Sequence, residues 1–245
     1  MSKIIYKKVI DHFKESEDYR TRKGIVHPEE DPIIIDFIRN YASSEDKILE
    51  VGGGSGAFLD LVLENTCIKE AYNVELVYET YKKQVNEDIC LIGGDALHLP
   101  FKDNSFEWAV IKNLLHHLVG RTRAESKAHA RRAVEELTRV IKDGGYIIIL
   151  EQYNRHRFFS SVIFYLTLFF SMFSISFKSF GLSKNVIVSF LTPDEIRDLL
   201  TGTGVVEFVL SRENRLDVSK KWKYTLLMSD VGRILLIVKV FKHKK

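Results

Sequence analysis

The chain has 245 residues, 45% of them hydrophobic and 28% charged, with 36 Lys and Arg against 33 Asp and Glu for a formal net charge of +3. That balance describes an ordinary globular chain with a sizeable core, and it excludes a dedicated nucleic-acid binder, whose basic residues would be in excess and clustered. Two cysteines, Cys67 and Cys90, without CxxC spacing indicate neither a disulfide scaffold nor a zinc site.

A reducing cytoplasm is therefore the default compartment, and the opening MSKIIYKKVIDHFKES, which lacks an apolar h-region, is not expected to act as a secretory signal. Residues 1–42 are expected to be helical in two pieces. The second begins near His27-Pro28 with Glu29, Glu30 and Asp31 in its first turn, where negative charge suits the helix dipole. KILEV (47–51) is a short apolar run ending in glycines, which predicts a buried strand entering a tight turn. A helix follows over Phe58 to Asn65, then a strand over Ala71 to Glu75, a helix over Tyr78 to Asn86 and a third strand, ICLI, at 89–92.

FEWAVI (106–111) predicts a fourth strand, and Ala130, Ala133, Val134, Leu137, Val140 and Ile141 mark one face of a helix from Arg123 to Lys142. Asp143-Gly144-Gly145 is expected to stop that helix before a β-branched fifth strand, YIIIL, at 146–150. Further on, Thr192-Pro193-Asp194-Glu195 supplies an N-cap, a proline at the first helical position and a capping-box Glu. Two final strands are expected at 205–211 and 233–241. Strands alternating with helices predict an α/β, doubly wound, Rossmann-like sheet covered on both faces.

ILEVGGGSGAF (48–58) places Gly52, Gly53, Gly54 and Gly56 between a strand and a helix, where glycines let backbone approach a ligand and expose helix N-terminal amides. This is a nucleotide-type site at the carboxyl edge of a parallel sheet. Gly52, Gly54 and Ala57 also satisfy the relaxed dinucleotide pattern, so the loop alone does not choose the nucleotide, although the absence of GK[ST] excludes a P-loop. Three carboxylates weigh against a nicotinamide cofactor. Glu50 precedes the glycines, where it opposes a pyrophosphate but suits a cationic amino-acid moiety. Glu75 ends the second strand, where it can accept from both ribose hydroxyls. Asp95, in the loop after the third strand, can accept an adenine amino proton.

Glu50-Val51-Gly52-Gly53-Gly54-Ser55-Gly56, Glu75, Asp95-Ala96 with Leu99-Pro100-Phe101, Asp103-Asn104-Ser105-Phe106 and Arg139-Val140-Ile141-Lys142-Asp143-Gly144-Gly145 together resemble the ordered motifs of class I S-adenosylmethionine-dependent methyltransferases over residues 45–152. The resemblance implies a seven-stranded sheet whose last strand is antiparallel and inserted between its neighbours at one edge. It implies that Gly52, Gly54 and Gly56 line the methionine and ribose, Glu75 holds the ribose, Asp95 the adenine amino group, Ala96 gives a backbone contact and Asn113 lies near the sulfonium. Gly53 and Asp143 depart from the usual bulky residue and proline. No NPPY-like tetrapeptide follows strand four, which weighs against adenine or glutamine N-methylation.

Methyl transfer from a sulfonium is an in-line displacement governed mainly by alignment and desolvation, so no strict triad is expected. An acceptor that must lose a proton still needs a base. His116 and His117, in the turn after strand four, and Tyr153, after strand five, are the catalytic candidates; a His in such a turn more commonly packs or caps. Tyr19 and His27 could close over the site, with packing the plainer role for both. The eight histidines show no ligand spacing, so no metal is assigned.

Between strand five and the last helix, no residue from Phe158 to Phe177 carries a charge. As a helix, this segment gathers Ser160, Thr167, Ser171, Ser174 and Lys178 on one stripe and leaves its other faces apolar. Three readings compete: a transmembrane helix, weakened by its serines and its place inside a catalytic fold; a lid lining a hydrophobic pocket; and an interfacial element flanked by Arg155, Arg157, Lys178 and Lys184. Self-association through the lid is the plain alternative. The whole is read as one methyltransferase domain over 1–245. It divides into N-terminal helices (1–44), a cofactor-binding half (45–152), a lid insertion (155–190) and a final helix with strands (191–245). Its cofactor is S-adenosylmethionine and its acceptor a hydrophobic small molecule methylated at carbon or oxygen, as in quinone and lipid methyltransferases. A degenerate binding module, a nicotinamide-dependent reductase and an RNA or protein methyltransferase are the rivals.

Overall fold

The computed structural model describes residues 3–15, 27–83, 86–175, 185–217 and 230–242. Two helices come first, α1 (Lys3–Glu15) and α2 (Asp31–Tyr41). The second starts later than the acidic run predicts, because the Asp31 carboxylate accepts the His27 amide at 2.7 Å and closes residues 28–30 into a turn ahead of the helix. The elements β1 (Lys47–Val51), α3 (Ala57–Asn65), β2 (Glu70–Glu75), the short α4 (Tyr78–Tyr81), β3 (Ile89–Gly93) and β4 (Phe106–Lys112) follow. Then come α5 (Arg123–Val140), β5 (Ile141–Asn154), α6 (Arg157–Met172), α7 (Pro193–Thr201), β6 (Val206–Arg215) and β7 (Val231–Val240). The expected helix from Tyr78 to Asn86 is thus only its first turn, with residues 84 and 85 outside the described ones.

The strands form one seven-stranded sheet in the order β3-β2-β1-β4-β5-β7-β6. Strands β1 to β5 pair in parallel, and β7 runs antiparallel to both β5 and β6, between which it lies. The sheet is the class I methyltransferase fold. Side-chain alternation sorts its core. Ile48, Val110, Ile148 and Leu150 pack against Ile34 and Ile38 of α2 and Phe58, Leu59 and Val62 of α3. Leu49, Ala109, Ile111, Ile147 and Ile149 face Ala130, Val134 and Leu137 of α5 and Ile196, Leu199 and Leu200 of α7. Both faces of the central strands are buried, as helical crossovers require, and at 25 cal/mol per Å² this burial is the main favourable term in folding.

Asp143-Gly144-Gly145 does not stop α5. The helix ends at Val140, and the triplet is a kink inside β5, where Phe106 pairs with Ile141 while Trp108 pairs with Tyr146. Gly144 has φ 80°, and a Cβ on Gly145 would fall 2.7 Å from the Glu107 carbonyl, so the bulge needs both glycines. The capping box of α7 forms as the sequence predicts: Glu195 N donates to Thr192 Oγ1 at 3.2 Å and Thr192 N to Glu195 Oε2 at 3.1 Å. The segment between β5 and α7 contributes α6, which packs on α1 through Phe164, Leu168, Ile5, Val9 and Phe13.

Candidate functional site

At the carboxyl ends of β1, β2 and β4 lies a cleft of about 1030 Å³, its open mouth included. The fold puts it there because parallel strands end together and the loops after them diverge. Its floor is the glycine loop between β1 and α3, where Gly52, Gly54 and Gly56 have φ of 75°, 55° and 74°. These left-handed conformations strain a side-chain-bearing residue. Gly53 has a different reason: a Cβ there would press on the Glu50 carboxylate and lie 2.9 Å from Asn73 Oδ1.

Asn73 pins this loop. It lies opposite Glu50 in the β1–β2 ladder, its Oδ1 accepts Gly53 N at 3.2 Å and its Nδ2 donates to the Gly54 carbonyl at 3.0 Å. Sequence reasoning missed it; a polar residue in a strand that should be buried on both faces was the available signal. Next along β2, Glu75 accepts Val77 N at 3.0 Å through Oε1 and Gly54 N at 3.1 Å through Oε2. Burial pushes its carboxyl above the usual range, opposed by these backbone bonds. With the Leu76 amide donating as well, the carboxylate still keeps acceptor capacity for a ligand hydroxyl.

Glu50 is fully buried at the end of β1. Burial lifts its pKa to about 7, with Lys112 opposing and Asp31, Glu75 and Asp60 adding to the rise. Its Oε2 accepts no hydrogen bond. Asp95 and Ala96 border the opposite wall of the cleft, where Asp95 Oδ1 accepts Leu97 N at 2.9 Å and so holds the loop after β3.

Asn113, immediately after β4, has φ 52°, the left-handed conformation that asparagine tolerates better than most residues. Its Nδ2 donates to His27 Nε2 at 2.7 Å, a bond that needs a neutral imidazole. Burial, then the nearby Lys112 charge, lowers the His27 pKa to about 4, which supplies that neutral form. Asn113 Oδ1 remains a buried acceptor without a partner. Beneath them Lys112 Nζ pairs with Asp31 Oδ1 at 2.6 Å and lies 4.2 Å from the Phe58 ring centre.

The two adjacent histidines separate. Residues 115–117 make a 3-10 turn in which Glu151 of β5 accepts Leu115 N at 2.6 Å and His116 Nδ1 at 2.5 Å, and Phe190 stacks on the His116 ring. His116 is thus drawn away from the cleft, whereas His117 borders it with its ring 4.9 Å from that of Phe13. Burial, aided by His116 and His12, keeps the His117 pKa well below its ordinary value. Tyr153 does not border the cleft; its ring packs over Gly232 of β7. Tyr19 lies outside the described residues, as do Lys178 and Lys184.

The outer wall belongs to α1, through Tyr6, Val9 and Phe13, with Leu114 and Leu118 completing an apolar half next to the polar one. No described residue of the 155–190 insertion borders the cleft. The aromatic side chains of α6 point elsewhere because α1 stands between α6 and the site. Among the described residues no helix is long and apolar enough to cross a membrane.

Residues 49–149 match the family described as Methyltransferase domain. A demethylmenaquinone methyltransferase of Paenarthrobacter aurescens is 32% identical over 105 residues, which is 43% of this chain and 38% of that protein. The chain matches about half the length of its curated relatives. Among solved structures, the YcgJ protein of Bacillus subtilis superposes with a TM-score of 0.61 at 16% identity, covering 88% of this chain and 99% of the other. A SAM-dependent methyltransferase from Methanosarcina mazei gives 0.57 at 17% identity, with 88% and 98% covered. Likeness at such identities speaks for the fold alone.

Proposed function

We propose that this chain, which carries the class I methyltransferase fold, uses S-adenosylmethionine to methylate a hydrophobic small-molecule acceptor at carbon or oxygen. The observation that carries this reading is the divided cleft. One half holds the glycine loop with Glu50, Glu75 and Asp95, and the other is walled by Tyr6, Val9, Phe13, Leu114 and Leu118. The residues present fit the cofactor: the buried acceptors Glu50 Oε2 and Asn113 Oδ1 lack partners, and a ligand carrying positive charge and N–H groups satisfies such atoms.

The bound cofactor supplies an electrophilic methyl group on a sulfonium with a neutral leaving group. The protein's own part is placement and exclusion of water. Glu75 would accept from the ribose and Asp95 from the adenine amino group. Asn113, oriented by His27, places a carbonyl oxygen at the end of β4. His117 is held neutral by burial, so its lone pair can take a proton from the acceptor. Its low basicity suits an acceptor whose own proton is acidic, such as a phenol or an enol. His116 acts through the turn, which it fastens to Glu151. A relative named for demethylmenaquinone supports an acceptor of aromatic, isoprenoid character.

The test combines calorimetry with label transfer. The protein should bind S-adenosylmethionine and not a nicotinamide dinucleotide, and from methyl-labelled cofactor it should pass label into the organic-extractable fraction of a cell lysate. Failure to bind the cofactor, or label found only in protein, nucleic acid or water-soluble product, overturns the reading.

A further inference from the structure

Helix α6 is amphipathic in the inverted sense. The side chains it buries are Ser160, Ile163, Phe164, Thr167 and Ser171, so the stripe of small polar residues faces the protein. The face turned to solvent carries Phe158 at 72% exposure, Tyr165 at 52%, Phe169 at 51%, Met172 at 66% and, at the C-cap, Phe173 at 62%. No charge interrupts it between Phe158 and Ile175. A globular chain that keeps Ser160 and Ser171 inside while it leaves Phe158, Phe169 and Phe173 outside has an occupant for that face, because an apolar patch of this size is costly to leave in water.

The charges around the patch identify the occupant. At the N-terminal end of α6, Arg157 is 77% exposed and borders a shallow cleft with Arg123, Lys127 and Arg131, of which the two carboxylates Glu195 and Glu135 neutralise only part. At the other end Lys8 of α1 donates to Ser174 Oγ at 3.3 Å, and the exposed Ile4 lies one turn before it on the same helix. Cations therefore frame both ends. A second copy of the chain packed on this face, in either direction, would set cations against cations. A sheet of anionic headgroups complements both ends together and the apolar middle as well. The sixteen residues of α6 extend about 24 Å, short of the ~30 Å hydrocarbon core, so the helix lies along a bilayer and does not cross it.

We propose that the outward face of α6, framed by Arg157 and Lys127 at one end and Lys8 at the other, docks in the headgroup plane of an anionic phospholipid bilayer. Because α6 packs on α1, which walls the cleft, the docked protein holds its cleft close to the membrane surface. The inference does not depend on which acceptor is methylated, since lipid binding is read without any acceptor.

Flotation of the intact protein with vesicles tests it. The wild type should float with phosphatidylcholine–phosphatidylglycerol vesicles, at least about tenfold less with phosphatidylcholine alone, and less as salt rises. The variant F158S/F169S/F173S should lose about tenfold or more in partition while keeping its thermal midpoint and S-adenosylmethionine affinity. The variant K8E/R157E, which leaves the apolar face intact, should lose the preference for anionic vesicles and so carries the test if the serine variant does not fold. The proposal fails if the wild type does not float, or if both variants float like the wild type. It also fails if ultracentrifugation shows a dimer that the serine substitutions dissociate while vesicles bind nothing, since the face is then an interface between copies of this chain.

Discussion

Lys112 and Asp31 form an ion pair at 2.6 Å with both side chains only 3% exposed, which ties the end of β4 to the first residue of α2 under the cleft. A charge buried this deeply is tolerable only while its partner is present. Asp31→Ala takes the ion-pair partner from the buried lysine ammonium beside Phe58 and also removes the acceptor of the His27 amide. It should cost about 3–5 kcal/mol in urea unfolding. A loss below about 1 kcal/mol would show that the pair contributes little to the fold.

Asn73 and Glu75 hold the glycine loop from β2. Glu75→Ala should lower S-adenosylmethionine affinity in calorimetry by roughly ten- to a hundredfold, since it removes a charged acceptor and frees Gly54 N. Asn73→Ala should weaken binding about tenfold through the loop alone, although its side chain does not border the cleft. An unchanged affinity in the Glu75 variant would remove the cofactor site from this end of β2.

Glu50 gives a pH signature. Its folded pKa of about 7 lies above the 4.5 of an ordinary glutamate, so between those values the folded protein holds a proton that the unfolded chain has lost. Its contribution to stability is therefore present below about pH 4.5 and is lost as pH rises toward 7. The stability of wild type minus that of Glu50→Gln should fall across that window, by at most about 1.4 kcal/mol per pH unit. His27 has the opposite sign. Its folded pKa of about 4 lies below 6.5, so its contribution rises with pH between those values, and only the variant difference isolates Glu50. If the ionised carboxylate holds the cofactor's ammonium group, affinity should also rise through pH 7. A difference curve flat from pH 4.5 to 7 would contradict the placement of Glu50.

The adjacent histidines should separate by experiment as they do in space. His117→Asn should lower turnover by about 10²–10⁴ with little change in cofactor affinity, if the acceptor gives its proton to this ring. His116→Asn should mainly lower the thermal midpoint, because its bond to Glu151 and its stacking on Phe190 fasten the turn. Equal turnover losses with equal stability losses in both variants would leave His117 no role distinct from packing.

Much of this protein was legible in one dimension. The run KILEV, the glycines after it, the Thr192–Glu195 capping box and the order of strands rest on local propensity and on side-chain periods of two or 3.6, which neighbours in sequence suffice to express. That the glycine loop, Glu75 and Asp95 share one cleft was legible for the same reason: each sits at the end of a strand, and parallel strands end on one side of the sheet.

Tertiary packing decided the rest. Nothing local distinguishes His117 from His116; the Glu151 carboxylate, brought across from β5, turns one ring away from the cleft. Asp31 reads as a first-turn helix acid until Lys112 meets it, and Asn73 is unremarked until register sets it opposite Glu50. The aromatic crowding of α6 looked from sequence like the lining of a pocket. In the fold, α1 occupies that wall, the serine stripe of α6 turns inward and Phe158, Phe169 and Phe173 turn out. Periodicity defines the two faces of a helix, but which of them is buried depends on what packs against it, and that partner here comes from the far end of the chain.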